Sequence, residues 1–320
     1  MARKVGFFHN GNKASFEKHY AVFVNRLYDF IGQSDVEIIE SWAGGQGLKP
    51  LHSHIQDLMG EGVDVIVAAG GPPSAQAAQQ ATLTQKVPVV FMSVADPHKL
   101  GLVGEDYSRP GTNMTGIAGM TSELDLVRLK LLREFLDHGK PAKIGVLNNA
   151  GRPNLEEQYK VLQDAAPGMT FTLVRKDVEN LPGIEAAIKE FKGDGCNAIL
   201  VTADSLFNNL RKDVVACVNR VKIPAIYQWR EFAEAGGLMS FGANIMEAYA
   251  KVGEYVGLIL DGASPAELPV SFPERFEFVI NLRVAHASGF AIPPGLLARA
   301  EFVSERLRPS SAGKPASKAQ

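Results

Sequence analysis

The sequence predicts an α/β protein of two similar lobes, each built on a parallel sheet, and three observations carry that prediction. The stretch Val63-Asp-Val-Ile-Val-Ala-Ala-Gly-Gly-Pro-Pro-Ser74 joins an apolar run, broken only by Asp64, to two glycines and a proline pair. Such a run suits a strand covered on both faces by helices, and the glycines end it sharply before a helix. The same plan occurs twice. Asn197-Ala-Ile-Leu-Val-Thr-Ala-Asp204, a helical segment over 205–221 and Lys222-Ile-Pro-Ala-Ile-Tyr227 repeat the succession of 64–69, 74–84 and Lys86-Val-Pro-Val-Val-Phe91. A separation of roughly 135 residues is domain-sized. Finally, strand-like and helix-like segments alternate along the chain, which demands parallel sheets with right-handed crossovers.

Taken in order, Lys4-Val-Gly-Phe-Phe-His9 reads as the first strand. The helix over 15–31 places Phe16, Tyr20, Phe23, Val24, Leu27 and Ile31 at helical spacing. A strand over 36–42 leads through Gly44-Gly-Gln-Gly47 to a helix containing Leu58 and Met59, then to the strand at 63–69, its helix, and a strand over 87–92 ending in Ser93-Val-Ala-Asp-Pro97. Glycines 101, 104, 111, 116 and 119 with Pro110 punctuate the passage to the second lobe. That lobe opens with a helix over 123–138, followed by a strand at 143–147 tipped by Asn148-Asn149, a helix at 156–166, a strand at 170–175 and a helix at 183–192. The repeated unit and a strand at 225–228 come next. Gly236-Gly-Leu-Met-Ser-Phe-Gly242 reads as a short strand crossing back, 245–261 as a helix with one apolar face, 269–282 as two extended pieces around Pro273, and 296–307 as a last helix. The expected lobes are residues 1–119 with about 243–270, and 120–242 with about 271–308. The tail at 309–320 lacks aromatic and branched aliphatic side chains and is expected to be disordered.

With 320 residues, 46% hydrophobic and 21% charged, the chain can bury two cores. A formal net charge of −2, with no basic run, argues against nucleic acid as a partner. No apolar stretch reaches the length of a membrane span. Cys196 precedes a strand and Cys217 lies inside a helix, so two buried thiols are favoured over a disulfide. The first strand begins almost at Met1 with no leader-like segment ahead of it, which leaves a cytoplasmic protein or a trimmed mature form. The seven histidines are scattered, no Gly-x-Ser-x-Gly elbow or metal spacing occurs, and Gly44-Gly-Gln-Gly47 lacks the third glycine of a dinucleotide fingerprint. No catalytic residue, cofactor or metal is expected.

Several collinear segments resemble one family: the stretch from Val65 to Pro73, Val87-Pro-Val-Val-Phe91 with Asp96-Pro97, Gly101-Leu-Val103, Arg109-Pro-Gly-Thr-Asn-Met-Thr-Gly116, Pro224-Ala-Ile-Tyr227, Gly236 to Gly242, Leu268-Pro-Val270, Phe276-Glu-Phe-Val-Ile-Asn281 and Ile292-Pro-Pro294. They look like the ABC-transporter substrate-binding proteins that include the tryptophan-uptake binding proteins. The resemblance runs from about Val5 to Val303. It implies a type I periplasmic-binding-protein fold, with two Rossmann-like lobes, three crossing segments and a ligand held as the lobes close. It also implies a small-molecule ligand such as an amino acid, notably an aromatic one, a membrane permease as partner, and a periplasmic or membrane-anchored place outside the cytoplasm. A monomer is expected.

In such a fold the carboxyl ends of the strands converge on the cleft. Ser74 and its helix start are the candidate carboxylate seat, or Ser74 merely caps its own helix; Ser93 could share the seat. Asp96 or Asp204 meets a ligand ammonium, the alternatives being a turn residue before Pro97 and a helix N-cap. Asn10, Asn148 and Asn149 offer donors and acceptors at loop tips, or serve as turn residues. Trp229 stacks on a ligand ring or packs beneath helices, Arg230 pairs a carboxylate, and Phe241 walls the hinge side. The reading is a non-catalytic solute receptor. Its rivals are a cytoplasmic ligand sensor with the same two-lobe body and, further off, a racemase-type cleft enzyme.

Overall fold

The computed structural model describes residues 2–44, 48–136 and 140–303. The first sheet holds β1 (Arg3–His9), β2 (Val36–Trp42), β3 (Val65–Ala69), β4 (Val89–Val94) and β5 (Met114–Ala118) in the order β2-β1-β3-β4-β5, every pair parallel. Between these strands run α1 (Lys13–Ile31), α2 (Leu48–Gly60) and α3 (Pro72–Thr82). Every residue of β3 and β5 is buried, as strands sandwiched between helices require.

The second lobe follows: α4 (Thr121–Phe135), β6 (Ala142–Asn149), α5 (Leu155–Ala165), β7 (Phe171–Val178), α6 (Leu181–Gly193), β8 (Ala198–Val201), α7 (Ser205–Asn209), α8 (Arg211–Val221), β9 (Ala225–Tyr227), α9 (Arg230–Glu234) and β10 (Met239–Ala243). Then come α10 (Ile245–Leu260), β11 (Phe276–Ile280), α11 (Leu282–Ser288), α12 (Pro294–Leu297) and β12 (Glu301–Phe302). The second sheet runs β12-β11-β10-β9-β8-β6-β7, and its β10–β11 pair is antiparallel where parallel strands alone are expected from sequence.

The duplication in the sequence is a duplication in space. The order β2-β1-β3-β4-β5 is matched by β7-β6-β8-β9-β10. Lys4 N–H donates to Asp64 Oδ2 at 2.7 Å, and Lys143 N–H donates to Asn197 Oδ1 at 2.8 Å. The same two lysines place Nζ on the carbonyls of Glu61 (2.9 Å) and Asp194 (3.1 Å). Lys86 and Lys222 both turn the chain into the following strand in the left-handed region, with φ of 50° and 54°. A non-glycine residue seldom occupies that region, so a shared pair of exceptions marks one backbone path used twice.

Three passages join the lobes. The chain leaves β5 for α4, returns after β10 so that α10 packs on α1 and on β3, β4 and β5, and departs again beyond Ser271, which bridges Ile117. The segment 236–242 is therefore the run into an interior strand of the second sheet, and the crossing lies just after it, at Asn244.

Two helices depart from expectation. The segment 205–221 breaks at Leu210, behind Asn208 and Asn209, whose side chains compete with the helical backbone. Among the described residues the helix expected over 296–307 is only the single turn α12, because Glu301 and Phe302 pair with β11 and cover the sheet edge. The loop residues 45–47, His138, the end of the last expected helix at 304–307 and the tail 309–320 lie outside the described residues.

Candidate functional site

The strand tips of both sheets enclose a cavity of about 60 Å³. A buried water needs roughly 10–15 Å³, so the space holds several waters or the head of a small ligand. Its first-lobe wall consists of His9 at the end of β1, Phe16 on α1, the Gly70-Gly71-Pro72-Pro73 turn, and Met92, Ser93 and Ala95 at the end of β4. Its second-lobe wall consists of Arg152, Pro153 and Gln158, then Ala203, Asp204 and Ser205, with Trp229.

The lobes meet around this space. Asn10 Nδ2 donates to Ser205 Oγ at 3.2 Å, Asn12 N–H donates to Asn209 Oδ1 at 3.4 Å, and His19 Nε2 lies 3.1 Å from Glu231 Oε1. Lys99 Nζ reaches Glu157 Oε2 at 3.4 Å, at the surface. The cleft is closed.

Asp204 is the acid of the cavity. It is the N-cap of α7, and its Oδ1 accepts both the Leu206 N–H (2.8 Å) and Asn149 Nδ2 (2.9 Å). Gln228 clamps its backbone, accepting the Asp204 N–H at 2.8 Å and donating to the Asp204 carbonyl at 3.0 Å. Burial pushes the carboxyl above the ordinary aspartate range, against the pull of the Arg152 charge and the two donors. The N-cap role and the cavity position thus coincide in one side chain.

Arg152 supplies the opposite charge. It is 8% exposed, and its Nη1 lies 3.9 Å from Asp125 Oδ2. Asp125 is already engaged by Arg128, whose Nε donates to the Phe241 carbonyl at 2.8 Å. Asp125 is shared by two guanidiniums, so Arg152 is only partly balanced by it and also faces the charge of Asp204 at the cavity wall.

The sequence-predicted residues sort by position. Ser93, Asp204 and Trp229 line the cavity, Trp229 packing against the cores of both lobes. Asn10 and Asn149 stand one layer back, the first joining the lobes and the second holding Asp204. Ser74 is fully buried with an unpaired Oγ and does not line the cavity. The helix it was expected to begin starts at Pro72, and Gly71 is its N-cap. Two prolines remove two of the N–H groups that make a helix start an anion seat.

Asp96 lies outside the cavity, in a turn with φ of 45°, accepting from Lys99 N–H (3.2 Å) and Tyr107 OH (3.1 Å). Arg230 also lies elsewhere, ion-paired with Glu277 at 3.2 Å and with Glu301. Phe241 stacks on Phe276 with the second-lobe core. Sequence reasoning missed His9 and Arg152. His9 is the last residue of the first strand of its lobe, beside Asn10, and Arg152 lies three residues past Asn149, so the rule that found the asparagines reaches them too.

Among the described residues no group of three or more His, Cys, Asp or Glu is placed to hold a metal ion, and no helix is long and apolar enough to cross a membrane. Cys196 and Cys217 are buried free thiols.

The family model described as ABC transporter substrate binding protein matches residues 34–304. The tyrosine-binding protein of Clostridioides difficile strain R20291 is 29% identical over 216 residues, 68% of this chain and 60% of that protein. The chain thus aligns with less than two thirds of this relative's length. A conserved domain protein from Vibrio cholerae O1 biovar El Tor superposes with a TM-score of 0.84 at 24% identity, over 94% of this chain and 99% of that one. An ABC domain in complex with L-Trp from Streptococcus pneumoniae gives 0.82 at 23% identity, over 94% and 100%. The ligand-free, open structure of a substrate binding protein with adhesive properties from Clostridium difficile gives 0.66 at 24%, over 94% and 99%.

Proposed function

The chain belongs to the ABC transporter substrate binding protein family, and from that premise we propose that it is the receptor of an importer for a free amino acid. Its two parallel-sheet lobes are of the type I periplasmic-binding-protein kind. The observation that carries the ligand class is the pairing of Arg152 and Asp204 on one wall of one cavity. A guanidinium meets an α-carboxylate bidentately and a carboxylate meets an α-ammonium, and both contacts gain strength where water is excluded.

Because both charges stand on the second lobe, the zwitterionic head docks there first. The first lobe then closes its largely apolar wall of Phe16, the proline turn and Met92 over the side chain, with Trp229 as a flat surface beside it. Ligand contact with both walls favours the closed form, and the closed form is what a membrane permease receives. The tyrosine and L-Trp named for two relatives are in keeping with an amino acid carrying a sizeable apolar group. Operation outside the cytoplasm follows from the same family role.

The test is a thermal-shift and calorimetric screen of free amino acids alongside their N-acetyl and amide derivatives. The expected result is a ligand that raises the melting temperature by mass action, with both derivatives losing at least tenfold in affinity. Equal binding of the N-acetyl form, or shifts by sugars or nucleotides alone, overturns the reading.

A further inference from the structure

His9 is a polar group of the first-lobe cavity wall that the zwitterion leaves unused. It is fully buried, it lines the cavity, and its ring is held between Phe16 (centroids 3.9 Å apart) and Trp42 (5.2 Å, 20° between planes). Its Nδ1 accepts the Gly11 N–H at 2.7 Å. A nitrogen that accepts carries no hydrogen, so the neutral ring bears its proton on Nε2. That Nε2 is buried and has no partner in the protein. Burial, helped by the nearby His19, lowers the His9 pKa to about 3, which keeps the ring neutral at neutral pH.

A fixed N–H donor is costly to bury unless something accepts from it. The α-carboxylate is not that acceptor, because Arg152 draws it to the opposite lobe. What remains near β1 when the cleft closes is the ligand's side chain. Resting on the amino-acid reading above, we propose that His9 determines specificity: its Nε2–H donates to an acceptor oxygen on the ligand side chain, and the receptor selects amino acids that carry one over isosteres that do not. Behind this wall, in the layer that does not touch the cavity, Asn10 Oδ1 and Ser74 Oγ are also buried and unpaired. A Cβ at Gly70 would collide with Asn10 Oδ1, so that glycine is what lets the amide oxygen sit there.

The experiment measures calorimetric affinities of the full chain for matched pairs differing in one acceptor: tyrosine and phenylalanine, threonine and valine, serine and alanine. In wild type the acceptor-bearing member of the pair that binds is favoured at least tenfold. His9→Leu erases that preference while still binding the plain member, and His9→Gln, which keeps a donor, restores part of it. Histidine-labelled ¹⁵N spectra of the wild type give a readout independent of any variant: an Nε2–H tautomer whose proton signal moves when the acceptor-bearing ligand is added. An Nδ1–H tautomer, no preference in wild type, or a preference unchanged in His9→Leu overturns the proposal while leaving the amino-acid reading intact. Failure of every amino acid to bind wild type overturns the reading and the proposal together. Should His9→Leu not fold, the wild-type spectra decide.

Discussion

His19 on α1 and Glu231 on α9 meet across the cleft, Nε2 to Oε1 at 3.1 Å, with side chains only 4% and 16% exposed. Each also keeps an unpaired buried atom, His19 Nδ1 and Glu231 Oε2, so opening the lobes hydrates groups that closure leaves short of partners. Burial alone pushes the Glu231 carboxyl up, yet the bond to His19 and the charges of His19 and Arg211 hold it below the ordinary range. A lowered carboxyl pKa stabilises the closed form above the ordinary glutamate value, and the gain is lost as pH falls through the lowered one.

Glu231→Gln is therefore expected to weaken ligand binding about tenfold at pH 7, and to enlarge the ligand-free radius of gyration in solution scattering. The difference from wild type shrinks below about pH 4. Equal affinity and equal radius at pH 7 would sink the idea of a latch.

Arg152→Met is expected to lower affinity about a hundredfold, since a buried charge-assisted contact is lost. The sharper readout is selectivity. Wild type is expected to bind an amino acid more tightly than its amide, and in the variant that gap is expected to close, because no guanidinium remains to tell them apart. Asp125 keeps Arg128 as partner, so the variant is expected to fold, with a circular-dichroism melt as the check. A persistent gap would place the carboxylate elsewhere.

The sequence exposed the fold because each lobe rests on long apolar strands, and because Lys86-Val-Pro and Lys222-Ile-Pro announce the duplicated path outright. The site was legible only to the level of strand tips. Asp204 and Trp229 follow from that rule, whereas Arg230 is one residue past Trp229 and turns away to Glu277 and Glu301. One residue at a strand-to-helix turn reverses a side chain's direction, and no periodicity records it. Ser74 is placed off the cavity for another reason: Pro72 and Pro73 begin the helix two residues early and line the cavity in its stead. His9 escaped notice because a lone histidine on an apolar strand reads as packing until Gly11 is seen to fix its tautomer.

The two cysteines test the cores rather than the site. Burial, with nearby acids, raises both thiols above the ordinary range. Since the thiolate is the reactive form, neither is expected to react with a disulfide reagent at pH 8 within minutes, and both react on denaturation. Rapid titration of one thiol in the native protein would contradict the burial of Cys196 under β8 or of Cys217 in α8.

Asp204→Asn separates stability from function. The raised carboxyl pKa means that ionised Asp204 destabilises the ligand-free fold: the group costs nothing below the ordinary aspartate value near 4, and stability is lost as pH rises through the raised value. Asparagine has no charge to bury and keeps an Oδ1 to accept from Leu206 and Asn149. The variant should therefore melt higher than ligand-free wild type at pH 8, with the difference fading toward pH 4. Its affinity for an amino acid should drop about a hundredfold, because an ammonium then meets a neutral amide in a closed cavity. A lower melting temperature at pH 8 would mean that the helix cap outweighs the buried charge, and undiminished binding would mean that the ammonium sits somewhere else.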